Sequence, residues 1–523
     1  MLKENRRIWK GLRERDGRPD LSRGVVLTQS EGELGVNGAY ALASVVAKAE
    51  HAKILFFTDP PQNRPLRRSF PYAEHFRKEN ISDTLEETVQ KDTETLFQGL
   101  KEPKELLELH YKGLRIGDLV YDTVLRYGKN WQATVWKIDN KVFDVLYKAV
   151  SIVNQLEYVF QQYKVVATVF NHKVGLKGLP LRFAANKGVK AICGNLGFGA
   201  IRKYLTFDGR MLPYNQSLPY EFIEELFKGA KKDELVKEGE TLLYKRLYGD
   251  IKDKDASNAY RGKRVFEKKK EFCQEFGLPT GRPVYFVMLH AFNDMPHHFE
   301  RNLFQDYYHW FIETLKIVRD NREVNWVFKE HPSAYMYPND ANLSGIFEIL
   351  NEPHIAFLDE NSDFSTLSLK NLADGVITCI GTAGIEMSCL GIPVILASES
   401  DYSGFGFTYE PNSVEEYKYY LEQINTKLRF LEEEEKKKAK ILFYIQYNFL
   451  FGFNDNNNKI LPQNNQERLK GSVEELIGKV VEGSNEKGVY EFLDELEHFI
   501  IDDSQEIFFR FDWLKEVQRR INS

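Results

Sequence analysis

The sequence predicts an α/β protein with two doubly wound, Rossmann-like sheets that face one another across a cleft, and with helical additions at the C-terminus. Two series of short apolar segments alternate with helical stretches, the first from residue 24 and the second from about residue 282. Strands that alternate with helices are typical of parallel sheets with helices on both faces. A length of 523 residues also exceeds what one hydrophobic core usually holds, which favours two domains.

The first series predicts an N-terminal α/β domain at residues 1–275. Its predicted elements are strands at 24–29, 53–59 and 164–171 and a mainly helical insertion from about 80 to 163. The glycine-rich loop after the first strand lacks the GxGxxG spacing of a dinucleotide-binding fingerprint. Residues 205–262 are charged, and the sequence predicts an irregular structure there.

The second series predicts a further α/β domain at residues 276–425. Its predicted strands are PVYFVML, VNWVFK, IAFL, GVITCI and PVILA. Near-continuous apolar runs of this length are expected for parallel strands that are buried on both faces. Residues 426–523 then form a predicted helical extension, interrupted by the polar, low-complexity connector 454–466.

The composition restricts the class of protein. A net charge of −6 argues against a nucleic-acid binder, because such proteins need an excess of cations to replace phosphate counterions. The four cysteines show no CxxC pair, as expected for buried thiols in a reducing compartment. The sequence shows neither a secretion signal nor an apolar segment long enough to span a membrane. We therefore expect a cytoplasmic protein.

The N-terminal segment 1–18 leaves two interpretations open. It has seven Lys and Arg against three acidic residues, and it carries Ile8, Trp9 and Leu12. A basic amphipathic helix can lie on an anionic membrane surface, which would place the protein at the inner face of the membrane. The alternative, which we favour, is a first helix that packs on the N-terminal domain.

Three loops at the ends of second-series strands are candidates for a binding site, because open α/β sheets bind ligands outside the carboxyl ends of their strands. The first is HAFNDMPHH at 290–298, which has three histidines and an aspartate in nine residues. A metal site is one interpretation of this loop, but no HxxxH pair or further acidic cluster accompanies it. We expect no metal ligands and interpret His290 as a contact to a sugar or a phosphate.

The second and third loops predict an anion site. KEHPS at 329–333 places Lys329, His331 and Ser333 at a strand end. GTAG at 381–384 leads from a buried strand into a helix, and the free N–H groups of a helix start bind anions.

The GTAG loop and the helix after it also predict contacts to a ribose. Gly381 and Gly384 would let the backbone approach a ligand, and Thr382 adds a hydroxyl. Glu386, one turn later on the same face, could accept hydrogen bonds from a ribose diol. Together the loops predict a nucleotide site with phosphate at Lys329 and His331.

A group transfer from such a nucleotide would need a base for the attacking hydroxyl. The acids at the first-series strand ends are Glu31, Glu33 and Asp59, and Asp294 is a rival from the second series. The sequence does not decide among them. We take Glu31 and Asp294 as the candidates, beside Lys329 and His331.

These motifs resemble the GT-B glycosyltransferases of bacterial surface polysaccharide synthesis, most of all the capsule polysaccharide biosynthesis family with its CMP-Kdo-dependent transferases. WVFKEHPS is similar to that family's Lys-x-His-Pro stretch, and ADGVITCIGTAGIEMSCLGIPVI to its Ser/Thr-Gly-x-Glu helix before a Gly-x-Pro-Val strand. The similarity covers roughly residues 110–200 and 280–400. Many relatives have a Ser-Ser or Ser-Thr pair where this chain has Gly381 and Thr382, which leaves the donor open.

The resemblance implies an inverting, metal-independent glycosyltransferase without a bound cofactor, with His331 at the donor phosphate. The expected partners are a nucleotide-sugar donor, CMP-Kdo-like in the favoured interpretation, and a polysaccharide or lipid-linked glycan acceptor on the side of the N-terminal domain. Three alternatives stay open: a CDP-polyol phosphotransferase of similar fold, a nucleotide-sugar 2-epimerase, and a non-catalytic polysaccharide-assembly subunit.

Overall fold

The computed structural model describes residues 2–16, 20–28, 36–57, 73–75, 83–195, 198–207, 209, 212–213, 217–248, 254–447 and 486–508. Their contacts form two compact units. The first comprises the described residues within Met1–Thr123, Lys137–Gln216 and Tyr447–Lys515, and the second those within Val124–Trp136 and Ser217–Gln446.

The sheet of the first unit has seven strands among the described residues. They are β1 Val25–Thr28, β2 Lys53–Phe56, β3 Ala73–His75, β6 Val165–Phe170, β7 Lys190–Asn195, β8 Phe198–Tyr204 and β14 Ile507–Phe508. Their order is β3-β2-β1-β6-β7-β8-β14. The strands from β3 to β7 are parallel, and β8 and β14 add antiparallel pairs at one edge. A separate hairpin joins β4 His110–Tyr111 to β5 Leu114–Arg115.

The sheet of the second unit has five strands in the described part of the chain. They are β9 Val284–Met288, β10 Asn325–Lys329, β11 Ile355–Leu358, β12 Gly375–Thr378 and β13 Val394–Leu396. Their order is β11-β10-β9-β12-β13, and all neighbours pair in parallel. Every residue of β9, β10, β12 and β13 is buried, as predicted from their apolar runs. The predicted fold class, an α/β protein with two doubly wound sheets, is confirmed.

The α-helices in the described residues are numbered here in chain order. They are α1 Leu2–Asp16, α2 Val36–Ala49, α3 Asp83–Gly99, α4 Pro103–Leu106, α5 Gly117–Leu125, α6 Asn140–Gln162, α7 Leu179–Asn186, α8 Tyr220–Lys228, α9 Lys232–Leu247, α10 Lys254–Tyr260, α11 Lys269–Glu275, α12 Tyr307–Asp320, α13 Leu343–Leu350, α14 Leu369–Leu372, α15 Thr382–Cys389, α16 Val414–Glu422, α17 Ile424–Lys427, α18 Glu433–Ile445 and α19 Glu486–Ile501.

Helix α1 packs into the core of the first unit. Ile8, Trp9 and Leu12 are buried there among apolar residues of α2 and α19. This outcome is the interpretation that we favoured. The three side chains are not available to a membrane surface, so the alternative of a membrane-bound first helix is wrong for them. Among the described residues, no helix is both long and apolar enough to cross a membrane.

The segment predicted to be irregular, 205–262, is largely helical. Helices α8, α9 and α10 belong to the second unit. Helix α9 packs along α18, and a Cβ atom at Gly239 would collide with the carbonyl oxygen of Lys440. This crossing therefore needs a residue without a side chain, which explains a glycine inside a helix.

The units divide the chain at other residues than the predicted boundaries. The described residues within 217–275, placed in the N-terminal domain by the sequence, belong to the second unit. The C-terminal extension is shared, because α18 packs in the second unit while α19 and β14 complete the first. The predicted connector 454–466 lies outside the described residues.

Candidate functional site

The strand order of the second sheet contains a switch point between β9 and β12. In chain order the strands lie as third, second, first, fourth and fifth, so the chain leaves the middle of the sheet in both directions. Loops at the carboxyl ends of the strands on either side of such a point diverge and leave a crevice, where doubly wound proteins bind their ligands. His290 follows β9 and Gly381 follows β12. Both predicted residues therefore flank this crevice.

His290 links the two loops at the crevice. Its Nε2 accepts a hydrogen bond from the backbone N–H of Ile380 at 3.2 Å and lies 3.2 Å from Oγ1 of Thr378. Burial, followed by the nearby His331 and His298, lowers the pKa of His290 to about 3. The ring is therefore neutral, and because Nε2 accepts, its proton lies on Nδ1. No described residue is hydrogen-bonded to Nδ1, which leaves an N–H donor for a ligand.

His331 is anchored to its own loop through one ring nitrogen. The backbone N–H of Ser333 donates to its Nδ1 at 3.2 Å, so this nitrogen is engaged within the loop.

Lys329 is the last residue of β10, and only 1% of its surface is exposed. Its Nζ lies 3.5 Å from the carbonyl oxygen of Glu330, and no carboxylate within the described ranges forms a salt bridge with it. Burial, followed by the positive charge of Lys263, lowers the pKa of Lys329 to about 7. A buried ammonium group without an acidic partner is unfavourable, and a bound anion would remove this penalty.

Helix α15 begins at the crevice, and two of its N–H groups are unpaired. The backbone N–H groups of Thr382 and Ala383 have no acceptor among the described residues, and no side chain caps the helix. Free N–H groups at a helix start, together with the helix dipole, favour an anion.

The glycines at this helix start serve packing rather than the predicted close approach of a ligand. The hydroxyl of Tyr402 donates to the carbonyl oxygen of Gly381 at 2.6 Å, and a Cβ atom at Gly384 would collide with that hydroxyl. A Cβ atom at Gly381 would lie 2.8 Å from Oγ1 of Thr378. Tyr402 thus fixes the first turn of α15; Gly384 makes room for its hydroxyl, and Gly381 makes room for Thr378.

The predicted ribose contact of Glu386 needs correction. Glu386 is 2% exposed, and its two carboxylate oxygens accept hydrogen bonds from Nε of Arg246 and from the hydroxyl of Tyr260. Its side chain points away from solvent into the contact of α15 with α9 and α10. We therefore interpret Glu386 as a positioning residue that ties these helices together.

Ser333 has a similar role and is not a ligand contact. It is fully buried, and its hydroxyl accepts a hydrogen bond from the side chain of Asn258 at 3.1 Å. Because Asn258 and Tyr260 both lie on α10, this short helix bridges the loop after β10 and the helix after β12. No motif indicated this bridge, since both residues lie in the segment predicted to be irregular.

Asp294 lies in the loop after β9 and is held by Arg126. The guanidinium donates to the carboxylate of Asp294 and, at 2.7 Å, to the carbonyl oxygen of Asn293. The side chain of Asp294 remains 47% exposed, so it is available to an acceptor. The other candidate base, Glu31, lies outside the described residues, as do Glu33 and Asp59. Nowhere in the described part do three or more His, Cys, Asp or Glu side chains form a group that could hold a metal.

The fold and the site define a doubly wound α/β protein whose second sheet has, at its switch point, a crevice with groups that favour an anion. No protein-family model matches the chain, and no curated protein matches it. It is similar to solved structures at low identity. KpsC of Thermosulfurimonas dismutans, a beta Kdo 2,4 transferase, has 14% identity and a TM-score of 0.31, over 53% of this chain and 79% of KpsC.

Two further solved structures cover more of the chain. Alr3699/HepE of Anabaena, in complex with UDP, has 11% identity and a TM-score of 0.26, over 82% of this chain and 95% of that protein. A glycosyltransferase from Rickettsia africae ESF-5 has 10% identity and a TM-score of 0.25, over 88% and 100%. Transferases are thus among the similar structures.

Proposed function

We propose that the protein is a glycosyltransferase that binds a nucleotide-sugar donor at the crevice of the second sheet and transfers the sugar to a glycan. One observation carries the proposal: the crevice presents groups that favour an anion, and no described acid neutralises them. These groups are the Nδ1–H of His290, the N–H groups of Thr382 and Ala383, and the buried ammonium group of Lys329.

The same groups suit the chemistry of a sugar transfer. When the bond between the sugar and the nucleotide breaks, the departing phosphate gains negative charge. Donors that are held in place before the reaction stabilise this charge without the cost of reorienting water. His290 and Thr382 are held by β9 and α15, so they meet this requirement.

The finer features of the reaction follow from the resemblance of the motifs. We propose a CMP-Kdo-like donor, a surface polysaccharide or lipid-linked glycan as the acceptor, and an inverting reaction that needs no metal. Asp294, exposed beside the crevice loop, and Glu31 are the candidates for the base that takes the proton of the acceptor hydroxyl. We place the reaction in the cytoplasm, at the inner face of the membrane when the acceptor is lipid-linked.

A nucleotide screen tests the proposal. The thermal stability of the purified protein is measured with CMP, CDP, UDP, GDP and ADP, in EDTA and then with Mg²⁺. We expect stabilisation by CMP in EDTA, about 2.7 kcal/mol at a hundredfold excess over the Kd. Stabilisation by CDP alone would favour the polyol-phosphate alternative, and the absence of any nucleotide effect would reject the donor site.

A variant links binding to the crevice, and an assay of transfer follows. His290→Phe removes the ring N–H but keeps an aromatic ring against Tyr307. In the wild-type protein the two rings stack with their centroids 4.7 Å apart. We expect about tenfold weaker CMP binding, as for one lost hydrogen bond to a charged group. The control His110→Phe, on the exposed hairpin of the first unit, should bind CMP normally. Sugar transfer from CMP-Kdo, with the product anomer assigned by NMR, then tests the donor and the inversion.

A further inference from the structure

A second lysine lies close to Lys329. Lys263 is half-buried, and its charge is near enough to lower the pKa of Lys329. Burial lowers the pKa of Lys263 itself. Within the described ranges, Lys263 has neither a salt bridge nor a hydrogen bond through its side chain. Two desolvated ammonium groups therefore lie near one another at the carboxyl edge of the second sheet.

The backbone keeps Lys263 at this edge. The next residue, Arg264, forms a parallel bridge with Phe364, with hydrogen bonds to Asp363 O at 2.8 Å and from Ser365 N at 2.9 Å. Residues 263–264 therefore run beside the loop that follows β11, the neighbour of β10. Thr366, two residues past the bridge, is 2% exposed, and its hydroxyl has no partner among the residues described.

The acids near the two lysines do not form ion pairs with them. Asp359 and Asp363 face Lys263 from the loop after β11, but both are exposed and accept from loop N–H groups at 3.0 and 3.3 Å. Glu330, beside Lys329, accepts from the N–H of Glu360 at 3.0 Å. Water screens the exposed carboxylates far more than it screens the buried Lys329. The two ammonium groups thus repel each other, and an anion between them would relieve the repulsion.

We infer that Lys263 binds a second anionic group of the donor, next to the nucleotide phosphate that Lys329 and the other groups of the crevice hold. This inference rests on the proposed function and narrows the substrate class to donors with two anionic groups. The second group is a carboxylate or a phosphate: an acidic sugar such as a 2-keto acid supplies the first, and a nucleoside diphosphate supplies the second. Neutral sugars linked through a single phosphate lack this group.

Binding of three ligands to wild-type protein and to Lys263→Gln tests the inference. CMP has one phosphate, CDP adds a second, and CMP-N-acetylneuraminate adds a sugar carboxylate. We expect Lys263→Gln to weaken either CDP or CMP-N-acetylneuraminate about tenfold by calorimetry, and CMP less than twofold. The ligand that responds identifies the second group. Lys263→Arg, which keeps the charge, should restore binding, and Lys268→Gln, at an exposed lysine that pairs with Glu271, serves as the matched control.

The outcomes separate this inference from the proposed function. Wild-type protein that binds none of the three ligands would reject the donor site itself. If wild-type protein binds CMP, two results with Lys263→Gln would reject the role of Lys263 and leave the donor site intact. In the first, the variant weakens binding of all three ligands equally. In the second, it changes the binding of none. A loss of CDP binding that Lys263→Arg does not restore would also reject this role, because the charge would then not be what matters.

Discussion

The first five strands of each sheet have the same order, but the two sheets differ in the contacts of a buried lysine at their carboxyl ends. In the first unit, Lys173 follows β6 and donates to the carbonyl oxygen of Leu212 at 2.6 Å. In the second, Lys329 has only a 3.5 Å contact with the carbonyl oxygen of Glu330. Burial lowers the pKa of both lysines to about 7. A buried lysine at the carboxyl edge of a doubly wound sheet can therefore serve packing when its donor is satisfied, or binding when it is not.

A buried ion pair occurs in each unit. Replacing the acid of either pair gives the largest effect that we expect, a loss of stability. Arg182 donates to both oxygens of Asp118 at 2.6 and 2.7 Å in the first unit, while Arg246 holds Glu386 in the second. Replacing one acid leaves a buried arginine unpaired, so Asp118→Asn and Glu386→Gln should each destabilise by about 3 kcal/mol or more. Chemical denaturation measures this.

Nucleotide binding distinguishes the two pairs. Glu386→Gln should also weaken CMP binding, because it loosens α15 and α10 beside the crevice, whereas Asp118→Asn should not. Equal binding by both variants, measured where each is folded, would contradict the positioning role of Glu386.

Substitution of the two buried lysines, Lys329 and Lys173, gives the next largest effect. We expect Lys329→Gln to weaken CMP binding about 100-fold, as for a lost charge-assisted contact in a buried site, and to leave the protein folded. Lys173→Gln should leave CMP binding unchanged and lower the melting temperature, because the carbonyl group of Leu212 loses its donor. Calorimetry and thermal denaturation of both variants check this. If Lys173→Gln lost CMP binding as well, the contrast between the sheets would fail.

The smallest expected effect is a pH dependence. Lys329 binds an anion in its protonated form, and with a pKa of about 7 it loses that proton as the pH rises. CMP affinity should therefore fall between pH 7 and 9, by up to about tenfold per unit. Lys263 and Glu330 are the charged groups near Lys329, and His290 is neutral throughout this range. In Lys329→Gln the slope should vanish; a slope that persists would assign the proton to another group.

The core strands were predictable because their signal is local. VYFVM is apolar over its whole length and NWVFK over its three central residues, and burial on both faces of a parallel sheet favours such runs. The ends of these strands, and with them His290 and Lys329, followed from the same runs. Helix α9 was missed because its apolar residues are spaced among many charges. Its packing partner, α18, follows it by almost 200 residues in the chain.

The roles of the site residues were less predictable than their positions. The spacing of Thr382 and Glu386 placed both correctly on α15, but Glu386 faces Arg246, 140 residues earlier in the chain. A single sequence does not show such a partner. The protonation of the histidines depends on which backbone N–H group points at the ring, a property of the folded loops. The need for a glycine at position 384 comes from the hydroxyl of Tyr402, a residue that no motif singled out.

The crossing of α9 and α18 also has a consequence for synthesis on the ribosome. Helices α9 and α10 carry Arg246 and Tyr260, which hold α15, yet the helix against which α9 packs is made only when residues 433–445 have been translated. In the first unit, β14 pairs with β8 only after residue 507 has appeared. A nascent chain released before residue 433 lacks the helix that supports α9, so an early stop should leave no partly active protein.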